Sequence, residues 1–574
     1  MMAENAVYKK LFANPVSRIL QVIRLEKNEI SSIYFYAILN GLIQLSLPIG
    51  IQSIISFVLG GSISASLVFL IILVVGGVLI AGLLQVNQMK LIEKIQQKIF
   101  VRYSFAFSER LPHLNLQQLD GKYLPELVNR FFDTMSLQKG ISKLLLDIPA
   151  ASIQIIFGLL LLSFYHPVFI IFGLSLITII YLILKTTSAR GMESSLKESD
   201  YKYKVVGWLE EMARVIKSFK FSRNNNLNIE KTDKLVTGYL THRTAHFKVL
   251  LKQYWTLIAF KVIITASMLI VGSVLLVNQQ LNIGQFIAAE IVIIMVINSV
   301  EKLIINLDKV YDVLTAVEKL SKVTEIPVEQ NGIATILPGN DGLSIEIANL
   351  NFSYMPGQTS PVLHNINLHI KANETVCIMG RAGSGKSTLL KLLTGGYLNF
   401  DGSIYINHLP VADYDLQSLR AQTGILFSQQ DIFEGTLLEN IAMGNHQITI
   451  NEILQLAENV GLKKFIATLP GGFNTPLDPA GKKLSRKIIQ KILLLRAMVN
   501  HPRLILLEEP FEGLEDQPKQ SIISYLLNHT EGQTILISSN DEAFAAKCDK
   551  VIFLEEGRIK ATGKWADIAP IIKS

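Results

Sequence analysis

At 574 residues, with 49% hydrophobic and 18% charged side chains, the chain is too apolar to be disordered or wholly soluble. Two cysteines, Cys377 and Cys548, are too few for a disulfide-stapled scaffold, and neither stands in a metal-ligand spacing. The net charge of +7 matters less than its placement, because long apolar runs fill the first half while the second reads as an ordinary α/β domain.

Residues 1–28 carry Lys9, Lys10, Arg18, Arg24 and Lys27 but no apolar core followed by a small-residue cleavage site. No cleavable signal peptide is expected, and the first membrane helix would serve for targeting. Residues 1–30 read as a cytoplasmic entry segment. Membrane crossings need ~20 apolar residues each. Six candidates follow, near 31–55, 65–87, 146–164, 167–186, 255–277 and 284–304. The loops 57–66, 163–167 and 277–285 hold no Lys or Arg, whereas 88–143 holds nine and 185–252 holds fourteen. Cationic loops stay on the cytoplasmic side, so both chain ends are placed there too. Buried helices of a large soluble protein would leave this alternation unexplained. The basic balance is thereby assigned to membrane faces, and no nucleic-acid partner is expected.

The cytoplasmic segments are too long for plain loops. Leu91, Ile95, Ile99 and Val101 recur at helical spacing. Each segment therefore reads as a membrane helix running on into the cytoplasm, a crosswise piece and a returning helix. Legs of ~25 residues reach ~37 Å below the bilayer. The crosswise pieces, which would receive movement from a cytoplasmic domain, are expected near 124–132 and 205–216. Lys261 sits near the cytoplasmic end of its crossing and can snorkel to the surface. Glu290 lies deeper and is a candidate for substrate contact; the alternative is a carboxyl hydrogen-bonded to neighbouring helices.

The transmembrane domain is thus assigned to 31–317 and a linker with Pro327, Gly332, Pro338 and Gly339 to 318–341. An α/β domain follows over 342–574. Within it, Gly380–Ser387 reads G-R-A-G-S-G-K-S, between an apolar strand (376–379) and a helix (387–394). Such a loop lets backbone N–H groups and a helix N-terminus cradle phosphates. Lys386 is expected at the β- and γ-phosphates and Ser387 on Mg²⁺. Gly380, Arg381, Gly383, Ser384, Gly385 and Thr388 complete the expected ATP contacts. A second strand (504–507) ends in Glu508-Glu509-Pro510. Glu508 would hold Mg²⁺ through water, and Glu509 would orient the attacking water.

With these motifs the chain resembles the ABC (ATP-binding cassette) exporters over essentially its whole length, in the half-transporter order of membrane domain then cassette. The resemblance implies a six-helix transmembrane domain with long cytoplasmic extensions, followed by an α/β phosphate-loop cassette. It places Tyr354 against adenine and Gln429 on Mg²⁺ and the attacking water. Phe433-Glu434-Gly435-Thr436 and Glu439-Asn440-Ile441 follow the family pattern after that glutamine. The membrane half is most similar to type I secretion exporters without the N-terminal peptidase domain. That similarity implies a peptide or protein cargo, a membrane-fusion adaptor and residence in the inner membrane. A lipid or small amphiphile is the other cargo class considered.

The departures are specific. The family signature Leu-Ser-Gly-Gly-Gln is here Leu484-Ser485-Arg486-Lys487-Ile488, and Asn540 stands at the switch-histidine position. His529 precedes the strand and cannot replace it by a one-residue slip. The acidic pair is Glu-Glu instead of Asp-Glu, and Glu515 stands where the family has Asp. Each cassette supplies half of each site, so neither a homodimer nor a heterodimer with a standard partner gives a wholly standard site. The expectation is strong ATP binding with slow hydrolysis. The competing reading is a pseudo-ATPase that binds ATP and regulates or scaffolds an export complex.

Overall fold

A computed structural model describes residues 15–61, 65–223, 226–355, 361–428, 430–528 and 532–573. Lys9, Lys10, Gln429 and His529 lie outside the described residues. The chain divides into two compact units: residues 1–112 with 122–326, and residues 113–121 with 327–574.

Among the described residues of the first unit, six helical segments are long and apolar enough to cross a membrane: Lys27–Leu59, Ala65–His113, Leu124–Tyr165, Val168–Arg214, Leu227–Val277 and Ile283–Thr324. The apolar windows anticipated in the sequence sit inside them, except that the fourth starts at Pro167, one residue before its helix. Leu227–Val277 has 51 residues, about 77 Å at 1.5 Å per residue, more than twice the hydrocarbon thickness. The helices Ala65–Arg110, Val168–Arg214 and Leu227–Val277 are therefore longer than a crossing needs and run on without a break. Side chains such as Phe69, Val75, Leu79 and Phe164 are exposed, as lipid-facing residues must be where water is absent.

The turns at the ends of these legs differ in part from the sequence reading. A short helix Leu124–Asn129 and a 3₁₀ turn Arg130–Phe132 occupy the first expected crosswise stretch. The second stretch, 205–216, is instead mostly the end of the long helix, which runs unbroken to Arg214. It breaks at Val215, and a separate helix follows over Ile216–Lys220. Residues 205–214 contain a single glycine and no proline, so nothing stops the helix earlier. Lys261 pairs with Glu301 of the last crossing helix, a partner the sequence reading did not name. The last helix continues to Thr324, three residues short of Pro327, so the expected linker over 318–341 is helical at its start.

The second unit contains two main sheets. The four-stranded antiparallel sheet has the order Leu363–Ile370, Ile345–Phe352, Asp401–Ile406, Leu409–Pro410. The six-stranded sheet has the order Arg558–Gly563, Lys550–Glu555, Thr375–Met379, Thr534–Ser538, Leu504–Glu508, Thr423–Leu426. Three of its strands, Thr375–Met379, Leu504–Glu508 and Thr534–Ser538, are buried throughout, as near-continuous apolar runs in a covered parallel sheet should be. Residues after Pro327 are tied to this unit: Ala334 bridges Tyr414, Ile336 N–H donates to Ser418 Oγ at 2.8 Å, and Arg503 donates to Leu337 O at 3.0 Å. A four-residue helix, Leu116–Leu119, joins the same unit, capped by Asn115. Asp120 beside it accepts from the Tyr397 hydroxyl at 3.1 Å.

The helix Arg486–Met498 lies close against the strand Thr423–Leu426 through Gly424, where an added Cβ would sit 1.9 Å from the Ala497 carbonyl oxygen. Backbone cannot yield as a side chain does. Gly424→Ala is therefore expected to cost about 1–3 kcal/mol, read as a lower midpoint in thermal unfolding of the purified chain.

Candidate functional site: the phosphate loop and the acidic strand end

The loop that leaves the strand Thr375–Met379 turns into the helix Lys386–Leu393. Gly380 has φ 154°, and a Cβ there would lie 2.2 Å from the Leu554 carbonyl oxygen. Gly383 has φ 81°, and a Cβ added there would meet nothing within 4 Å, so the loop crest is open to a ligand. The Lys386 ammonium folds back over the loop, donating to Gly380 O at 2.6 Å and Arg381 O at 3.0 Å. Burial lowers its pKa, against the opposing charges of Glu509 and Glu508. Ser384 Oγ is shut off from solvent without a partner. A polar atom left so is costly unless a ligand completes it. Open crest, buried ammonium and orphaned hydroxyl fit a phosphate group.

Parallel register brings the acidic pair to the same edge. Ser538 is paired with Ile378 on one side and Glu508 on the other. Glu508 is buried; its Oε1 accepts from Ser387 Oγ, and its Oε2 accepts from Ser428 N–H at 3.0 Å. A hydroxyl and a carboxylate so placed are the oxygen donors a magnesium ion takes. Glu509 leaves the strand with φ 43°, its N–H donating to Ser538 O at 2.8 Å. Burial raises the Glu509 pKa, while the Lys386 charge lowers it. Asn540 is exposed, and its Oδ1 accepts from Gly380 N–H at 3.1 Å, linking the switch position to the loop. The Tyr354 hydroxyl lies 3.0 Å from Thr388 Oγ1, and its ring meets Phe352 and Tyr397 edge-on. Arg381 is exposed on the loop.

The altered signature lies apart from this cluster: among the described residues Ser485 makes no hydrogen bond to the loop. It caps the helix Arg486–Met498, accepting from Ile488 N–H at 3.3 Å. Arg486 and Lys487 are exposed in the first turn, where cations oppose the helix dipole. Lys487 reaches Glu515 at 3.2 Å, so two departures from the family pattern meet in one ion pair. One turn further, Gln490 Nε2 donates to Glu509 O at 3.3 Å. Sequence reasoning missed this contact, because a lone glutamine on a helix carries no motif. It likewise missed the hub at Asn440, whose side chain donates to Phe433 O and Thr436 O and accepts from Phe433 N–H and Arg496.

Six membrane-length helices followed by an α/β domain with a complete phosphate loop define a multi-span membrane protein that carries a nucleotide-type phosphate site. The transmembrane-region model of ABC transporters matches residues 31–300, and the ABC transporter model of the ATP-binding domain matches 363–512. The chain belongs to the ABC transporter family. It is 30% identical over 297 residues to the leukotoxin export ATP-binding protein LtxB of Aggregatibacter actinomycetemcomitans, across 52% of this chain and 42% of that one. It is 29% identical over 339 residues to the alpha-hemolysin translocation ATP-binding protein HlyB of Proteus vulgaris, across 58% of this chain and 47% of that one. The chain thus spans less than half the length of either relative. A bacterial Atm1-family ABC exporter with ATP bound shares the fold, with a TM-score of 0.85, 18% identity, and coverage of 95% of this chain and 96% of that one.

The Glu509 environment has a measurable consequence. Its carboxyl binds a proton more readily folded than unfolded. At neutral pH the buried charge therefore destabilises the fold, and below the ordinary glutamate range that penalty is gone. Glu509→Gln is expected to melt above the wild type at pH 7, with the difference closing as pH falls through the raised pKa to the ordinary value. A pH-independent difference in a thermal melt would contradict this.

Proposed function

We propose that the chain is an ATP-driven exporter subunit of the inner membrane, acting as a homodimer or as a heterodimer with a second ABC subunit. In this reading both termini and the cassette lie in the cytoplasm, which the cation-rich segments 88–143 and 185–252 support. The reading is carried by one juxtaposition: Lys386, the Ser387–Glu508 contact and Glu509 stand at one sheet edge, in a chain with six membrane-length helices.

The loop from Gly380 to Thr388 holds the triphosphate of ATP, with Lys386 at its terminal phosphates and Tyr354 against the base. Ser387, Gln429 and Glu508 would hold Mg²⁺, which neutralises phosphate charge when bound. Glu509 orients the attacking water. Asn540 can hold the loop by its hydrogen bond but cannot carry charge near neutral pH. In the dimer, Ser485 and the first turn of its helix meet the nucleotide on the opposite cassette. There Arg486 and Lys487 replace small residues whose backbone would approach the phosphate closely. Binding is retained and hydrolysis slowed. Closure of two cassettes around ATP then moves the long helical legs and opens the membrane path for a peptide or protein. Similarity to toxin exporters supports that cargo and a membrane-fusion adaptor.

The second reading, a regulatory or scaffolding subunit, is favoured by Arg486, Lys487 and Asn540. Glu509→Gln separates the two: export is lost if hydrolysis drives it and persists if the chain is a scaffold. Restoring the pattern with Asn540→His, Arg486→Gly and Lys487→Gly together is expected to raise steady-state ATP hydrolysis by ~10²-fold or more, the usual worth of a transition-state contact. An unchanged rate would contradict the proposed cause of slow turnover.

A further inference from the structure

Hydrocarbon gives charge no solvation, so ionisable groups in membrane helices are held by partners. The first unit follows this rule closely. Asp147 Oδ2 accepts from Asn306 Nδ2 at 3.0 Å, and Lys261 meets Glu301. Neutral polar side chains are paired as well: Tyr165 donates to Gln52 at 2.7 Å and Ser299 to Gln154 at 2.7 Å.

Glu290 departs from it. Among the described residues no hydrogen bond or ion pair reaches its carboxyl, and Oε2 is closed to solvent without a partner. It lies seven residues into the helix Ile283–Ile305, about 10 Å along the axis from the outer end. Its neighbours on the helix surface are the residues four before and four after. Phe286 lies against the helix Leu227–Val277, where a Cβ on Gly272 would sit 2.6 Å from the ring. Ile294 is half exposed, at 50%. The stripe therefore runs aromatic ring, unpaired carboxylate, exposed aliphatic side chain.

We infer that this stripe is a recognition site for an organic cation carried on an apolar body, such as a cationic, apolar segment of the cargo. The inference rests on the exporter reading and adds to it the charge of what is carried. The carboxyl supplies the counter-charge, and Phe286 and Ile294, one turn to either side of it, supply the apolar contact. A cation is the ligand whose charge complements an acidic side chain without a protein partner; an anion does not.

The test is equilibrium binding of tetraphenylphosphonium, a lipophilic cation, to the purified full chain in detergent, with neutral triphenylphosphine oxide as control. Saturable binding that favours the cation is expected. Glu290→Gln, which keeps the shape and removes the charge, should weaken it by ~10-fold or more, a modest charge-assisted contact. Glu290→Asp should recover part of the loss. Mg-ATP binding, measured on the same samples, reports folding and should be equal in all three. Equal affinity for the cation in wild type and Glu290→Gln overturns the site. So does the absence of saturable cation binding by wild-type protein that binds Mg-ATP. Failure to bind Mg-ATP would instead count against the exporter reading on which the site rests.

Discussion

The register of three buried parallel strands is the constraint on which the site depends. Ser538 lies level with Ile378 and Glu508, so the strands Thr375–Met379, Thr534–Ser538 and Leu504–Glu508 end at one edge. The turns that leave them carry the phosphate loop, Asn540 and Glu509. A slip of one residue would reverse the face of every side chain in the slipped strand and break this convergence. Two cross-links make the register specific at the edge itself: Ser387 to Glu508, and Gly380 N–H to Asn540. The apolar core beneath holds the strands; these polar contacts hold the chemistry.

That division explains how a cassette can depart from its family pattern and still fold. Asn540 supplies a neutral acceptor to Gly380, so the loop keeps its tether although the position has no titratable group. Glu508 is one methylene longer than aspartate, yet both of its oxygens find donors, in Ser387 and Ser428. Arg486 and Lys487 stand in the exposed first turn of a helix whose buried face, with Ile489, Ile492 and Leu493, is intact. Asn540, Arg486 and Lys487 are exposed, and the buried Glu508 has both oxygens satisfied, so none of these changes disturbs the apolar core.

Much of this was legible in the sequence, for identifiable reasons. Apolar length marked the six membrane-length helices because hydrocarbon thickness imposes it. The phosphate loop was legible because its glycines, lysine and serine are fixed in spacing by the backbone geometry they serve. The strand ends fell within a residue of expectation because the buried runs are short and continuous. Other features rest on partners far away in the chain, and local sequence carries no trace of them. Glu301 meets Lys261 across 40 residues, and Gln490 reaches the backbone of Glu509. The helix Leu116–Leu119 joins the second unit through Asp120 and Tyr397, 277 residues apart. The break at Val215 was misplaced because helix propensity gives no stop signal there beyond two adjacent β-branched residues.

Every proposed step depends on a nucleotide held by the loop from Gly380 to Thr388. Equilibrium binding of Mg-ATP to the purified, folded chain tests it most directly. Saturable binding that disappears in Lys386→Ala is the predicted result. Folded wild-type protein that takes up no Mg-ATP at millimolar concentration would contradict it.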